Sequence, residues 1–418
     1  MIRPVLGTVA ARVVITAMNL LLIIAAGQML GAQGLGSISM LLLGVTIVLL
    51  LNHVVGGGGL VYVVPRHGVR MVLGPSYAWA LVTAAVAMGV QSVAPLATED
   101  LVVHVVALGF LQSLNSIHLN ILLGRERIAL QNSILVGQAV LQFAAFLLLL
   151  DLHGSSLGDY ILATYVAHGA TALVSGYFAL QHLGPAEASE QPSAWSALFR
   201  QGGLAQGANL LQLLNYRAAY YMIEHFRGLG ALGIFSVTTQ LAESAWLVPK
   251  SIGGVLYSKM SNMWEAEQQR TLTLTLLKAS MLVGALCSFV LVLLPEGLYT
   301  LVFGQDIRDL HPILYWMVPG LVAMSGSQVL SHYLSGTGRI LHNTIGSGLG
   351  VLVTLPLGWF LIPRYGLQGA AMTASMAYTL SAIYQLLVFL RITGTHGGEL
   401  LPHAGDRERV RQLWARIR

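Results

Sequence analysis

Charge is scarce in this chain. Asp, Glu, Lys and Arg together make up 9% of its 418 residues, where a soluble domain carries about 25%. With 55% hydrophobic residues and a mean hydropathy of +0.71, that scarcity excludes a water-soluble globular protein and leaves a polytopic membrane protein. Cysteine is nearly absent. The single Cys287 sits inside an apolar run, so no internal disulfide can form and no metal spacing exists. No GxxxxGK[ST] occurs: no lysine follows the run Gly56 to Gly59, so it reads as a close helix approach or a hinge rather than a phosphate loop. The N-terminus is basic but lacks a short apolar core followed by a small-residue cleavage site, and reads as a retained first span. Long loops are missing too. The longest outer one, between Leu294 and Pro312, is too short for a catalytic domain, which argues against a membrane glycosyltransferase or polymerase and for a protein that is not an enzyme.

What is present is a series of apolar stretches, each long enough to cross a bilayer, which takes about 20 residues. They run near Val5 to Leu30, Leu35 to Val64, Met71 to Val93, Leu101 to Leu123, Ile128 to Leu150, Leu157 to His182, Leu204 to Ile223, Ala231 to Tyr257, Leu272 to Leu294, Pro312 to Ser335, Asn343 to Ile362 and Leu367 to Leu390. The reading is all-α, with twelve transmembrane helices. Residues 1–183 form an N-terminal six-helix lobe, 184–202 a cytoplasmic linker, 203–391 a C-terminal six-helix lobe and 392–418 a basic cytoplasmic tail. Placing the N-terminus in the cytoplasm leaves only Arg227, Arg308 and Arg364 in outer loops. Arg217 and Lys250 lie within spans, and every other Lys or Arg falls inside, as the positive-inside rule requires. The net charge of +5 thus reflects topology and not a nucleic-acid partner. In the tail, Val410, Leu413, Trp414 and Ile417 recur at helical spacing among arginines, which fits either a short helix on the inner leaflet or a solvated basic tail.

The two halves repeat. LGSIS at Leu35 to Ser39 matches LGIFS at Leu232 to Ser236 with an offset of 197, and the same offset lays Gly253 and Gly254 on Gly56 and Gly57. GRERI after the fourth span and GTGRI after the tenth form a weaker second match. Six spans per half give both halves the same topology, a parallel repeat about an axis along the membrane normal, as in transporters that alternate their opening. Gly56, Gly57, Pro249, Gly253 and Gly254 are the hinge candidates.

Polar residues mark the candidate site. The first span places Arg12, Thr16 and Asn19 on one stripe. The fourth holds Gln112, Asn115, His118 and Asn120, and the seventh Asn209, Gln212, Asn215, Tyr216, Arg217, Tyr220 and Tyr221. In the eighth, Ser236, Gln240, Glu243 and Lys250 share a helical stripe. Intramembrane ionisable residues are functional by default, so a hydrated, mostly cationic cavity between the lobes is expected, suited to an anion. Arg217, Arg12, Lys250, Asn209, Gln212, Tyr216, Tyr220 and Asn115 are the substrate-binding candidates. Guanidinium binds phosphate bidentately, and amides and tyrosines hydrogen-bond or stack on sugars. Arg217 has a second reading as a structural ion pair with Glu243, and Arg12 and Lys250 as snorkelling side chains. Glu243 is the candidate for coupling to a proton or sodium. His53 and His118 read as helix-packing residues, and Gly346 and Gly350 as a small-residue packing pair. No cofactor or metal is expected.

Four stretches carry a resemblance: LGAQGLGSIS at Leu30 to Ser39, LNYRAAYYMI at Leu214 to Ile223, LGIFSVTTQLAESAWLVPKSIGGVLYSKMS at Leu232 to Ser261, and IPRYGLQGAAMTASMAY at Ile362 to Tyr378. In these the chain resembles the oligosaccharide (O-antigen type) flippases of the multidrug/oligosaccharidyl-lipid/polysaccharide exporter superfamily, along nearly its whole length. The resemblance implies a two-lobed, twelve-helix fold in the bacterial plasma membrane. It also implies transfer of undecaprenyl-diphosphate-linked glycans from the inner to the outer leaflet, with membrane lipid and a polysaccharide polymerase as partners. Two departures stand out: Ala219 where the family often has an aspartate, and no asparagine near Leu355. A drug-like cation as cargo is the alternative within the same fold, although it predicts more deep acidic residues than Glu243.

Overall fold

The computed structural model describes residues 2–91, 97–154, 156–181, 194–247, 249–250, 256, 260 and 265–400. Most of the expected linker, the hinge candidates Gly253 and Gly254, and the tail from 401 onward lie outside these residues. Every regular element among the described residues is helical. The order is α1 (Ile2–Gly56), α2 (Gly59–Gln91), α3 (Val102–Gly124), α4 (Ile128–His153), α5 (Leu157–Leu180), α6 (Ala194–Ser244), α7 (Ala266–Leu293), a short α8 (Glu296–Phe303), α9 (Leu310–Gly336) and α10 (Leu341–Thr393), with 3-10 turns at Glu99–Leu101 and Gly397–Leu400.

Three of these helices, at 55, 51 and 53 residues, are far too long for one crossing. Each of the three is bent at one glycine with positive φ: Gly31 in α1 (63°), Gly228 in α6 (80°) and Gly366 in α10 (58°). Gly68 bends α2 in the same way at 73°. At positive φ a Cβ is pushed against the preceding carbonyl, a contact that glycine does not make. Cut at these glycines, and with residues 59–67 continuing the arm 32–56 past a break at Gly57 and Gly58, the described helices other than the short α8 give twelve helical segments, the one after Gly228 described as helix over residues 229–244. Eight of the helices are long and apolar enough to cross a membrane, and the more polar α6 is not among them. Large apolar side chains that stay exposed, among them Leu81, Leu148, Leu173 and Leu282, mark the faces that lipid covers.

By its contacts the chain forms two compact units, Met1–Leu210 with Leu301–Ile307, and Leu211–Thr300 with Arg308–Arg418. In the first unit one core gathers Leu60, Val63, Val72, Ile117 and Ile121, and another Leu41, Val45, Val48, Val105 and Leu108. Small residues let the helices approach, as lipid-embedded packing requires: a Cβ on Gly109 would lie 2.8 Å from Val48 Cγ1, and one on Gly56 would lie 2.8 Å from Ile117 Cγ1. Gly56 therefore serves close approach. Residues 301–307 complete this unit by seating on the bend of α1, where Gln28 Nε2 donates to the carbonyls of Leu301 (3.2 Å) and Val302 (3.0 Å) and Asp306 reaches Gly31. The second unit has its core at Leu256, Leu274, Leu277, Leu330, Tyr333 and Phe389. Gly350 there packs against the Asn215 amide and Gly346 against Gln385, so that pair is a packing feature.

The weaker repeat is also visible as geometry. After α3, Arg127 N–H reaches back to Leu122 O (2.9 Å) and Glu126 N–H to Leu123 O (2.9 Å); after α9, Arg339 N–H reaches Leu334 O (2.7 Å) and Gly338 N–H reaches Ser335 O (3.1 Å). Both are Schellman turns, and the left-handed residue is Glu126 in one and Gly338 in the other.

Candidate functional site

The site is built on α6. Gly228 folds its two arms back on each other, as the order of contacts shows. Tyr220 meets Phe235 (ring centroids 6.0 Å apart) and Thr239 (OH to Oγ1 2.8 Å), while Arg217, further from the bend on one arm, meets Glu243, further on the other. Arg217 Nη1 donates to Glu243 Oε1 at 2.6 Å and Nη2 to Oε2 at 2.8 Å. This is a two-pronged, charge-assisted pair. The side chains are 22% and 21% exposed, so the surroundings screen their attraction little, and each supplies the counter-charge that makes the other's burial tolerable.

Aromatic rings enclose the pair. The Arg217 guanidinium carbon lies 5.2 Å from the centre of the Tyr220 ring. Tyr216 stands edge-on to Tyr378 of α10 at 5.5 Å, and Trp246 meets the same Tyr378 at 5.5 Å and Tyr216 at 5.9 Å. Hydrogen bonds fix two of these rings: Trp246 Nε1 donates to Leu321 O at 3.2 Å, and Gln212 Nε2 to the Tyr216 hydroxyl at 3.3 Å. Electrically the pair is neutral. An anion gains full use of the guanidinium only by displacing Glu243.

Five expected residues therefore converge in the second unit: Arg217, Glu243, Tyr216, Tyr220 and, through Tyr216, Gln212. Sequence reading missed Tyr378, Trp246 and Thr239. Lys250 is exposed and acts electrostatically on His332. The stripe expected through Ser236, Gln240, Glu243 and Lys250 is not formed: Ser236 is buried, Gln240 is exposed, and a turn at Ala245 and Trp246 interrupts the helix before Lys250. The cause is Pro249, which has no N–H to offer the carbonyl of Ala245. The chain tightens instead, with Ala245 N–H on Ala242 O (3.1 Å) and Trp246 N–H on Glu243 O (3.0 Å), and resumes with Lys250 N–H on Trp246 O (2.8 Å).

The remaining candidates belong to the first unit. Arg12 is exposed on α1. Asn209 is exposed and donates to Gln206 Oε1 at 3.1 Å. Asn115 is buried, its Nδ2 donating to the carbonyl of His168 (3.1 Å) and facing that ring's Nδ1 (3.2 Å). His53 pairs with Ser116 at 2.9 Å, and His118 sits between the Tyr77 hydroxyl (2.6 Å) and Ser175 Oγ (3.1 Å), so both tie helices together. Among the described residues no His, Cys, Asp and Glu cluster could hold a metal.

No family model matches the chain. The capsular polysaccharide biosynthesis protein CapF of Staphylococcus aureus is 27% identical over 189 residues, which is 44% of this chain and 48% of that protein. The chain thus matches about half the length of this curated relative. Among solved structures, an inward-facing multidrug resistance MATE family transporter of the MOP superfamily superposes with a TM-score of 0.73 at 15% identity, over 91% of this chain and 94% of the other. The lipid II flippase MurJ in an inward closed conformation does so with 0.73 at 13% identity, over 94% and 90%. The chain shares the fold of these two structures, twelve helices in two lobes, and is a multi-pass membrane protein.

Proposed function

We propose that the protein is a flippase. It carries a polyprenyl-diphosphate-linked oligosaccharide from the inner to the outer leaflet of the bacterial plasma membrane by alternating access, for cell-surface polysaccharide assembly, with both termini cytoplasmic. The observation that carries this reading is Arg217, a guanidinium held ready inside the membrane by an exchangeable carboxylate. A diphosphate matches the fork that Glu243 now fills. Displaced, Glu243 becomes the coupling group. The CapF match and the MurJ fold support the choice of cargo.

Complementation of a flippase-deficient strain tests it. The wild-type chain restores surface glycan, and Arg217→Lys, which keeps the charge but loses the fork, restores far less at equal protein level. Equal restoration by both sinks the role given to Arg217. A second reading, export of a drug-like organic cation, has its own support in the rings of Tyr216, Trp246 and Tyr378 beside Glu243, since aromatic faces attract such cations. Resistance to cationic dyes on overexpression, without complementation, would decide for it.

A further inference from the structure

Three helices of the first unit bring uncharged polar side chains together near their midpoints: Gln112 and Asn115 on α3, Gln138 on α4 and His168 on α5. Asn115 and His168 are buried, whereas Gln112 and Gln138 are only half-buried. An amide left in hydrocarbon with its hydrogen bonds unmade is costly, so the exposed parts of the two glutamines face water at mid-membrane, the depth at which transporters hold their cargo. Ser116 and Asn120, one and two turns further along α3, are half-buried too and extend the polar face.

The network orients these groups. Asn115 Nδ2 donates to the carbonyl of His168, an atom that can only accept, and this fixes which way the amide points. Its second hydrogen then faces His168 Nδ1, so Nδ1 accepts and the ring proton sits on Nε2. Gln112 and Gln138 reach that Nε2 at 3.3 and 3.4 Å. Both approach with the amide nitrogen; because a ring N–H needs an acceptor, one of the two amides has to be turned about so that its carbonyl oxygen meets the ring and its NH2 points outward. The glutamines keep unused donors and acceptors side by side. No carboxylate, ammonium or guanidinium is among the hydrogen-bond partners of these four side chains, so the site suits an uncharged ligand whose groups both donate and accept.

We propose that Gln112, Gln138 and His168 form a subsite for the hydroxyl groups of a sugar, separate in chemistry from the charged pair at Arg217. Asn115 positions the imidazole. In taking that sugar to be the glycan carried on a lipid diphosphate, the proposal rests on the flippase reading.

The full chain, purified into lipid nanodiscs, is titrated with undecaprenyl diphosphate, with the same lipid diphosphate bearing N-acetylglucosamine, and with a panel of free neutral hexoses and N-acetylhexosamines. Wild type prefers the sugar-bearing lipid about tenfold. Gln112→Ala with Gln138→Ala abolishes that preference and the binding of any free sugar, leaving affinity for the bare lipid diphosphate unchanged; the melting temperature falls, because the His168 N–H loses its acceptor. If wild type binds the bare lipid and shows no preference, and the double variant changes nothing, the subsite is overturned while the flippase reading stands. If free sugars bind in a glutamine-dependent way but neither lipid does, the subsite stands and the flippase reading fails. Binding of none of the probes overturns both.

Discussion

Gly31 and Gly228 adopt the same backbone conformation at equivalent places in the two halves of the chain. They lie 197 residues apart, the offset of the internal repeat, with φ 63° and ψ −168° at one and φ 80° and ψ 175° at the other. Each reverses a helix that would otherwise overrun the membrane. Their surroundings differ: a Cβ on Gly228 would meet open space, whereas one on Gly31 would strike Asp306. Gly228→Ala should therefore cost only the strain of a backbone region that is essentially glycine's alone, about 1–3 kcal/mol, and Gly31→Ala more. Thermal unfolding of the two purified variants measures the difference, and equal losses would mean that Asp306 yields freely.

Arg217→Ala leaves Glu243 buried without its counter-charge. Removing one member of a buried pair costs about 3–5 kcal/mol, so this variant should melt early, and loss of export by it alone says little about cargo. Arg217→Ala combined with Glu243→Ala should recover most of the melting temperature, because no lone charge remains, and still not export. A double variant as unstable as the single would show that the pair's main contribution is packing among the tyrosines.

Glu126 occupies a left-handed position that its counterpart fills with Gly338. Glu126→Gly should raise stability by about 1 kcal/mol, read as a higher melting temperature, and Gly338→Ala should lower it by a similar amount. No change in either would mean that the two turns relax independently of the helices they end.

The 3-10 turn Gly397–Leu400 is tied to α7 by Glu399. One of its oxygens accepts from the His396 N–H at 3.1 Å and the other from Arg270 at 2.7 Å. First the backbone N–H and then the guanidinium hold this carboxyl below its ordinary value, about 4.3 for a free glutamate. A depressed carboxyl stabilises fully above the ordinary value and loses that contribution as pH falls through its own lower one. Protection of residues 397–400 against hydrogen exchange, taken relative to the intrinsic rate at each pH, should therefore fall on acidification in that range and stay high at neutral pH. Glu399→Gln should exchange fast throughout. A wild-type profile flat down to strongly acidic pH would remove the role assigned to Glu399.

Much of this was legible beforehand because a bilayer leaves strong marks on a sequence. Apolar length gave the spans, and a repeated five-residue match gave an offset that Gly31 and Gly228 then obeyed. Arg217 and Glu243 stood out because charge within a span is costly, so their pairing could be posed as one of two readings. Tyr378 and Trp246 were not legible as site residues, although both lie in stretches that carried the family resemblance: an aromatic ring in an apolar run looks the same whether it packs or lines a site. The stripe through Lys250 failed because helical spacing was carried across Pro249 as if its missing N–H had no effect. His168 was passed over because nothing near it in sequence is charged; only folding brings two glutamines and an asparagine to its ring.

Residues 301–307 have a consequence for how the protein is made. The first bundle includes a stretch encoded nearly a hundred positions after the rest of it, and Gln28 waits for the carbonyls of Leu301 and Val302. During synthesis the early helices must stay in the membrane with that seat vacant until the ribosome has translated past Asp306. A gene cut between the two halves would yield a first fragment that is unfinished by itself.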